Sequence, residues 1–259
     1  MKTVILAGGI GSRLNDATRS KSKALVTIGG LPILAHIMRI FIGQGHLEFV
    51  VAIGHHAESV IEYFSQPNAL YADPRASSTG GAVCVRAASR PGLSLSLVDT
   101  GADTGSAGRL LRLRPWLGGS RFFLAWCDGL ADLDLGALLS CHVAHGRNAS
   151  VVAVRLPARF GSLTLDGDRV TAFEEKPDRA QEWINGGFFV LEPAAIGFIE
   201  PADDMIERGL LPRLAAAGEL MAFRHQGFWD CMDTPADRER LEALWRGGQA
   251  PWRSEEELT

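Results

Sequence analysis

The feature that most constrains this chain is a glycine cluster close to its start, Lys2-Thr-Val-Ile-Leu-Ala-Gly-Gly-Ile-Gly-Ser-Arg-Leu14. Thr3 to Ala7 has the length and β-branched content of a strand. Gly8, Gly9 and Gly11 follow at once, then Ser12 and Arg13. Glycines directly after a strand let the backbone approach a ligand and turn successive N–H groups toward an anion. Arg13 adds a planar fork of donors suited to phosphate oxygens. A nucleoside triphosphate fits such a loop. The dinucleotide fingerprint is excluded because it needs a glycine where Leu14 stands, and a Walker A loop is excluded because no Gly-Lys-Ser/Thr follows. Taken alone, the turn also reads as a strand-to-helix connection with a surface arginine.

With 259 residues and 46% apolar content, the chain can bury a substantial core. A formal net charge of −4 argues against a polyanion-binding surface, so no nucleic acid is expected and basic residues act locally. The Thr3–Ala7 run is too short for a signal peptide, and no run approaches the ~20 apolar residues of a membrane span. Cys84, Cys127, Cys141 and Cys231 show neither a CxxC pair nor zinc spacing, which suits reduced thiols in a cytoplasmic protein.

Further along, Pro32 suits a first helical turn, and Ile33, Leu34, Ile37, Ile40 and Phe41 have helical spacing up to Gly43. Phe49–Ile53 reads as a buried strand and Glu58–Phe64 as a short helix. This alternation predicts an α/β fold with a mixed, mainly parallel sheet and helices on both faces. In such sheets ligands bind outside the carboxyl ends of the strands, where Gly8–Gly11 falls. Residues 65–94 have weak periodicity and read as a long loop, a lid or an interface arm. Strands are expected at Leu95–Asp99, Phe122–Trp126, Ala149–Leu156, Asn185–Val190 and Leu220–Arg224. Helices are expected from Gly105, from Asp134 to His145, over Glu207–Ala217, and from Thr234–Pro235 to Trp245. Asp166-Gly167 signals a hairpin that adds a small antiparallel lobe. From Pro251 onward the chain reads as a loose tail.

Lys23, ten residues past Arg13, is placed to return toward the phosphates. Asp128 stands at a strand end and Asp233 just before a helix. Two carboxylates without a His or Cys partner suit a hard, oxygen-preferring cation such as Mg²⁺. Each also has a plain reading, Asp128 as a turn former and Asp233 as a helix cap. Cys141, His142 and His145 read as one solvated helix face, and Trp229 as core.

The chain resembles the sugar-nucleotide pyrophosphorylases, nucleotidyltransferases that act on sugar 1-phosphates. Val4–Leu14 carries the resemblance together with Leu97-Val-Asp-Thr-Gly101, Cys127-Asp-Gly-Leu-Ala-Asp-Leu-Asp134, Arg159-Phe-Gly161 and Phe173-Glu-Glu-Lys-Pro177. Ile184-Asn-Gly-Gly-Phe-Phe-Val-Leu191, Gly218-Glu-Leu-Met-Ala-Phe223 and Gly227-Phe-Trp-Asp-Cys-Met-Asp-Thr234 continue it. The likeness is greatest to the cytidylyltransferase branch. It implies a Rossmann-like fold of the nucleotide-diphospho-sugar transferase type, with residues 1–135 mainly holding nucleotide, 136–250 mainly holding sugar phosphate in the small lobe, and 251–259 as tail. CTP and glucose 1-phosphate are the implied substrates, Mg²⁺ the cofactor, and a homo-oligomer without membrane partner the setting.

Residue by residue, the resemblance implies catalytic roles for Arg13 and Lys23. Nucleotide contacts are implied for Leu6, Ala7, Gly8, Gly9, Gly11, Ser12, Arg13, Lys23, Ser106, Arg109 and Asp128. Substrate contacts fall on Gly161, Glu175, Lys176, Asn185, Gly186 and Gly187, and metal ligation on Asp128 and Asp233. The chain departs from the family in Lys21-Ser-Lys23-Ala-Leu25, which lacks two prolines, at Leu31, at Ala107 in the base-contacting segment, and at Cys127. Another nucleotide, a modified sugar 1-phosphate, or a catalytically silent binding protein are the alternatives.

Overall fold

The computed structural model describes residues 1–9, 11, 14, 21–87, 90–156, 162–174, 182–200 and 205–253. The chain opens with β1 (Thr3–Leu6), a 3-10 turn at Lys23–Leu25, the short β2 (Thr27–Ile28) and β3 (Leu31–Pro32), and α1 (Ile33–Ile42). Next come β4 (Glu48–Ile53), α2 (Ala57–Ser65), β5 (Pro74–Thr79), β6 (Ala82–Ala87), β7 (Ser94–Asp99) and α3 (Ser106–Leu117). The middle holds β8 (Phe122–Trp126), β9 (Gly129–Ala131), α4 (Leu135–His145), β10 (Ala149–Val154), and the hairpin β11 (Ser162–Asp166) with β12 (Arg169–Glu174). It closes with β13 (Ile184–Leu191), a 3-10 segment at Pro193–Phe198, α5 (Leu210–Ala216), β14 (Leu220–Arg224), β15 (Trp229–Cys231) and α6 (Pro235–Arg246).

Nine strands form one sheet in the order β14-β10-β13-β8-β1-β4-β7-β6-β5. β8, β1, β4 and β7 run parallel, as do β10 and β14, whereas β13 and β6 run against their neighbours. Alternating side chains feed two cores, as strand pleating requires. Ile5, Val51, Leu97 and Phe123 join α1, α2 and α6 on one face. Val4, Val50, Val98 and Leu124 join α3 and α5 on the other. The expected mixed, mainly parallel sheet flanked on both faces is therefore observed. Among the described residues, no helix is long and apolar enough to cross a membrane.

Three expectations need correction. Residues 65–94 hold more than loop: β5 and β6 form a hairpin that extends the sheet edge through β7. Its outer strand is largely exposed, so little apolar alternation marked it in the sequence. The histidines of α4 are not a solvated face. His142 and Ser150 are both 1% exposed, with the His142 Nδ1 to Ser150 Oγ contact at 2.8 Å. His145 Nε2 reaches the same hydroxyl at 2.7 Å, and Glu192 links His142 to Arg121. The cluster ties α4 to β10 by satisfying buried polar atoms, as an interior requires.

The third correction concerns the loose tail, which gives way at Trp252. Its indole is 3% exposed, stacks on Phe228, and donates from Nε1 to His36 Nδ1 at 3.3 Å. Because an indole only donates, Nδ1 must accept, and the proton resides on Nε2, which donates to Ile28 O at 2.9 Å. Burial holds this neutral ring at a pKa of about 4, against an ordinary 6.5.

That difference gives a testable pH dependence. Between pH 6.5 and about 4 the unfolded chain binds a proton that folded His36 refuses, so stability falls as pH falls through that window. The loss from this group is on the order of 3 kcal/mol. Urea unfolding of wild type and His36→Gln should show a stability difference that shrinks steadily on acidification from pH 7 to 4. A difference independent of pH would remove His36 as the cause.

Candidate active site

Loop and carboxylates meet at the carboxyl edge of the parallel strands. β1 ends at Leu6, and Gly8 then crosses the strand ends with its carbonyl accepting from His55 N and from Arg109. The Arg109 guanidinium is buried beneath this crossing. Nη1 donates to Ile53 O at 3.2 Å, Thr100 Oγ1 at 2.6 Å and Gly101 O at 2.9 Å, while Nη2 donates to Gly8 O at 2.7 Å and Ala102 O at 3.2 Å. A Cβ at Gly8 or Gly54 would overlap this guanidinium, which is why glycine stands at both positions. Arg109 thus reaches the cleft floor, but its donors serve backbone and hydroxyl acceptors of the protein.

The second wall is a two-stranded ribbon. β9 pairs with β15 so that Gly129 stands opposite Cys231, and Met232 N donates to Asp128 O at 2.8 Å. Asp128 and Asp233, remote in sequence, lie at the same end of that ribbon. Asp233 immediately precedes α6, which begins with a capping box: Thr234 Oγ1 accepts from Asp237 N, and Asp237 Oδ2 accepts from Thr234 N. Arg240 fixes the helix to the ribbon through two bonds to Asp230, at 2.6 and 2.7 Å, and one to Asp237.

Lys23 completes the wall. Its Nζ donates to Asp128 Oδ2 at 2.8 Å and reaches Asp233 Oδ1 at 3.5 Å. The loop lacks the family's prolines, yet Ser22 Oγ accepts from Ala24 N and caps the 3-10 turn that carries Lys23. Burial alone would lower the lysine's pKa; the two carboxylates outweigh it and hold the value above ordinary. Cys127 and Cys231 lie beside the same carboxylates. Burial first, then carboxylate charge, raises the Cys127 thiol and pushes Cys231 up to about 12, so neither is a thiolate at neutral pH.

Leu6, Ala7, Gly8, Gly9, Gly11, Lys23, Ser106, Arg109, Asp128 and Asp233 line a single cleft of about 340 Å³, within the range of small-molecule sites. Asn185, Gly186 and Gly187 do not line it. They stand next to it on β13, where Trp229 Nε1 donates to Gly186 O at 2.7 Å and a Cβ on Gly187 would overlap the Trp126 ring. Trp229 therefore anchors that backbone as well as packing on the core. Ser12, Arg13, Gly161, Glu175 and Lys176 lie outside the described residues. Sequence reasoning missed Thr104, Trp126, Met205 and Glu207 as lining residues. Trp126 closes a strand already expected; Met205 and Glu207 carried no motif. Ala107 is fully buried among the α3 core residues and presents nothing to the cleft.

No group of three or more His, Cys, Asp or Glu among the described residues could hold a metal unaided. The donor set nevertheless fits a hard cation completed by phosphates and water, because two carboxylates already converge on one ammonium.

A cleft lined by backbone glycines, a lysine and paired carboxylates has the chemistry that suits phosphate groups and a hard cation. The chain belongs to the Nucleotidyl transferase family, which it matches over residues 2–234. It is 40% identical over 255 residues to the glucose-1-phosphate cytidylyltransferase of Salmonella typhi, covering 98% of this chain and 99% of that one. Identity and coverage are the same for the glucose-1-phosphate cytidylyltransferase of Salmonella typhimurium. HddC from Yersinia pseudotuberculosis shares the fold, with a TM-score of 0.69 at 22% identity over 94% of this chain and 99% of that one.

The ammonium of Lys23 occupies the space between the carboxylates that a divalent cation would need. Lys23→Met should therefore raise the affinity of the nucleotide-free protein for Mn²⁺ severalfold, read by electron paramagnetic resonance of free Mn²⁺. Unchanged or weaker binding would show that the ammonium does not compete there.

Proposed function

We propose that the protein transfers the cytidylyl group of CTP to glucose 1-phosphate, giving CDP-glucose and pyrophosphate. The observation that carries this reading is the convergence of Lys23, Asp128 and Asp233 beside the Gly8–Gly9 loop. Near full-length likeness to glucose-1-phosphate cytidylyltransferases supports the choice of base and sugar.

In this reading the N–H groups of Gly8, Gly9, Gly11 and Ser12, with Arg13, hold the triphosphate. Lys23 leaves the carboxylates to contact the phosphates near the α-phosphorus. Asn185, Gly186, Gly187, Gly161, Glu175 and Lys176 hold the sugar phosphate. An oxygen of that phosphate attacks the α-phosphorus in line, and pyrophosphate leaves from the opposite side. The nucleophile is ionised at neutral pH, so no general base is required. Protonated Cys127 and Cys231 agree with a reaction that needs no thiolate. Asp128 and Asp233 would hold Mg²⁺, which supplies neutralisation of phosphate charge when bound. The remaining work is positioning two anions and stabilising charge as it develops. A cytoplasmic homo-oligomer is the proposed setting. Reduced cysteines are consistent with that compartment, and the exposed Leu163, Val170 and Phe173 on the β11–β12 hairpin are consistent with subunit contact.

Pyrophosphate release with Mg²⁺, glucose 1-phosphate and single nucleotides tests the proposal, and release with CTP alone is expected. Nucleotide-stabilised melting without release would instead indicate a silent binding protein. Asp128→Asn should lower kcat by about a hundredfold or more, the scale of one transition-state contact; an unaltered kcat would remove Asp128 from the metal site. Lys176→Ala should raise KM for glucose 1-phosphate and spare that for CTP, and the reverse pattern would reassign the lysine to the nucleotide.

A further inference from the structure

The cleft is asymmetric. On one side of the Gly8–Gly9 loop stand Lys23, Asp128 and Asp233; on the other, Thr104, Gly105, Ser106, Met205 and Glu207. In a nucleoside triphosphate the nucleoside is bonded to the α-phosphorus. With that phosphorus beside the carboxylates, the nucleoside takes up the rest of the cleft, and the second wall is the lining left to face it. Most polar atoms of that wall are already committed. Thr104 Oγ1 accepts from Arg112 Nη1 at 2.7 Å. Ser106 Oγ accepts from Ile206 N at 2.7 Å and donates to Glu207 Oε2 at 3.2 Å.

This pair of bonds clamps residues 205–207 over the start of α3. Ile206 is fully buried against that helix, which anchors the clamp, while Glu207 remains exposed at the lip. Its second oxygen, Oε1, has no hydrogen-bond partner among the described residues. The nucleoside wall therefore presents an oriented carboxylate with an acceptor to spare.

The chemistry of that acceptor is selective. Cytosine carries an amino group at C4 that donates, whereas uracil and thymine carry a carbonyl oxygen there that accepts. An ionised carboxylate only accepts, so it pairs with the first and repels the second. We propose that Glu207 selects cytosine by accepting a hydrogen bond from its 4-amino group, with Ser106 as the positioning residue that aims the carboxylate. The inference rests on the CTP reading above. It assigns base choice to a residue outside the glycine loop and outside α3, rather than to Ala107, whose methyl is buried in the core.

The test compares wild type with Glu207→Gln in pyrophosphate release from CTP, UTP and a CTP analogue without the 4-amino group, each with Mg²⁺ and glucose 1-phosphate. Glutamine keeps an acceptor but adds a donor that can meet a 4-carbonyl, so it should relax the choice of base. The CTP-to-UTP ratio of kcat/KM should fall about tenfold or more in the variant. The analogue should lose a similar factor on wild type and much less on the variant. KM for glucose 1-phosphate and Tm should stay in place.

A variant that weakens CTP and UTP equally would overturn the proposal and move Glu207 to the ribose hydroxyls. A lower Tm with an unchanged ratio would overturn it in favour of a purely structural clamp. If wild type itself prefers UTP over CTP, the CTP reading fails before the variant is made, and that outcome is separate from an unchanged ratio in a CTP-preferring enzyme. Calorimetric binding of CTP and UTP without sugar phosphate repeats the comparison independently of turnover.

Discussion

The buried guanidinium of Arg109 is the interaction on which the carboxyl edge of this sheet depends. It gathers acceptors that follow or end three adjacent parallel strands: Gly8 O after β1, Ile53 O in β4, and Thr100 Oγ1 with Gly101 O after β7. Parallel strands leave such carbonyls pointing toward the ligand crevice, where they would otherwise be buried or repel phosphate. One planar cation with five N–H groups satisfies them together. Burial lowers the Arg109 pKa, yet an arginine stays charged, so the positive charge beneath the Gly8 crossing is permanent. Removing one partner of such a buried network leaves several acceptors without donors, which is far costlier than the net value of any single bond. The glycines at 8 and 54 follow from the same requirement, since the guanidinium fills the space a Cβ would need.

Against this fixed floor, the carboxylate wall is assembled from distant pieces. The β9–β15 ribbon sets Asp128 beside Asp233, Arg240 clamps α6 to the ribbon, and the capping box fixes where the helix begins. These three contacts together place Asp233 at the end of the ribbon, beside Asp128. Lys23 then bridges both carboxylates and neutralises part of their mutual repulsion. The result is a compact charge arrangement in which one ammonium is shared by two carboxylates from remote parts of the chain.

Much of the architecture was legible because its physical signals are local. Apolar runs marked β1, β4, β8 and β10, Asp166-Gly167 marked the β11–β12 turn, and Thr234-Pro235 marked the start of α6. The β5–β6 hairpin was not legible, since an exposed edge strand rich in serine has no buried face to alternate against. His142 and His145 looked solvated for a related reason. Their partner Ser150 lies on another element, and nothing in a helical spacing announces a buried hydroxyl across the interface. Nothing local marks Trp252 as buried, because its stacking partner Phe228 and its acceptor His36 are far away in sequence.

By itself, the sequence determined a strand running into glycines, a mainly parallel α/β order, and three candidates for phosphate and metal contacts: Lys23, Asp128 and Asp233. It determined these because strand pattern, turn chemistry and family motifs are written in adjacent residues. Only the tertiary structure decided what those residues face. It turned Arg109 toward the backbone, buried Ala107, brought Lys23 between the two carboxylates, and set Glu207 at the mouth of the cleft. The physical reason is that direction and burial arise from packing between remote elements, and the sheet register that fixes those neighbours exists only once the chain has folded.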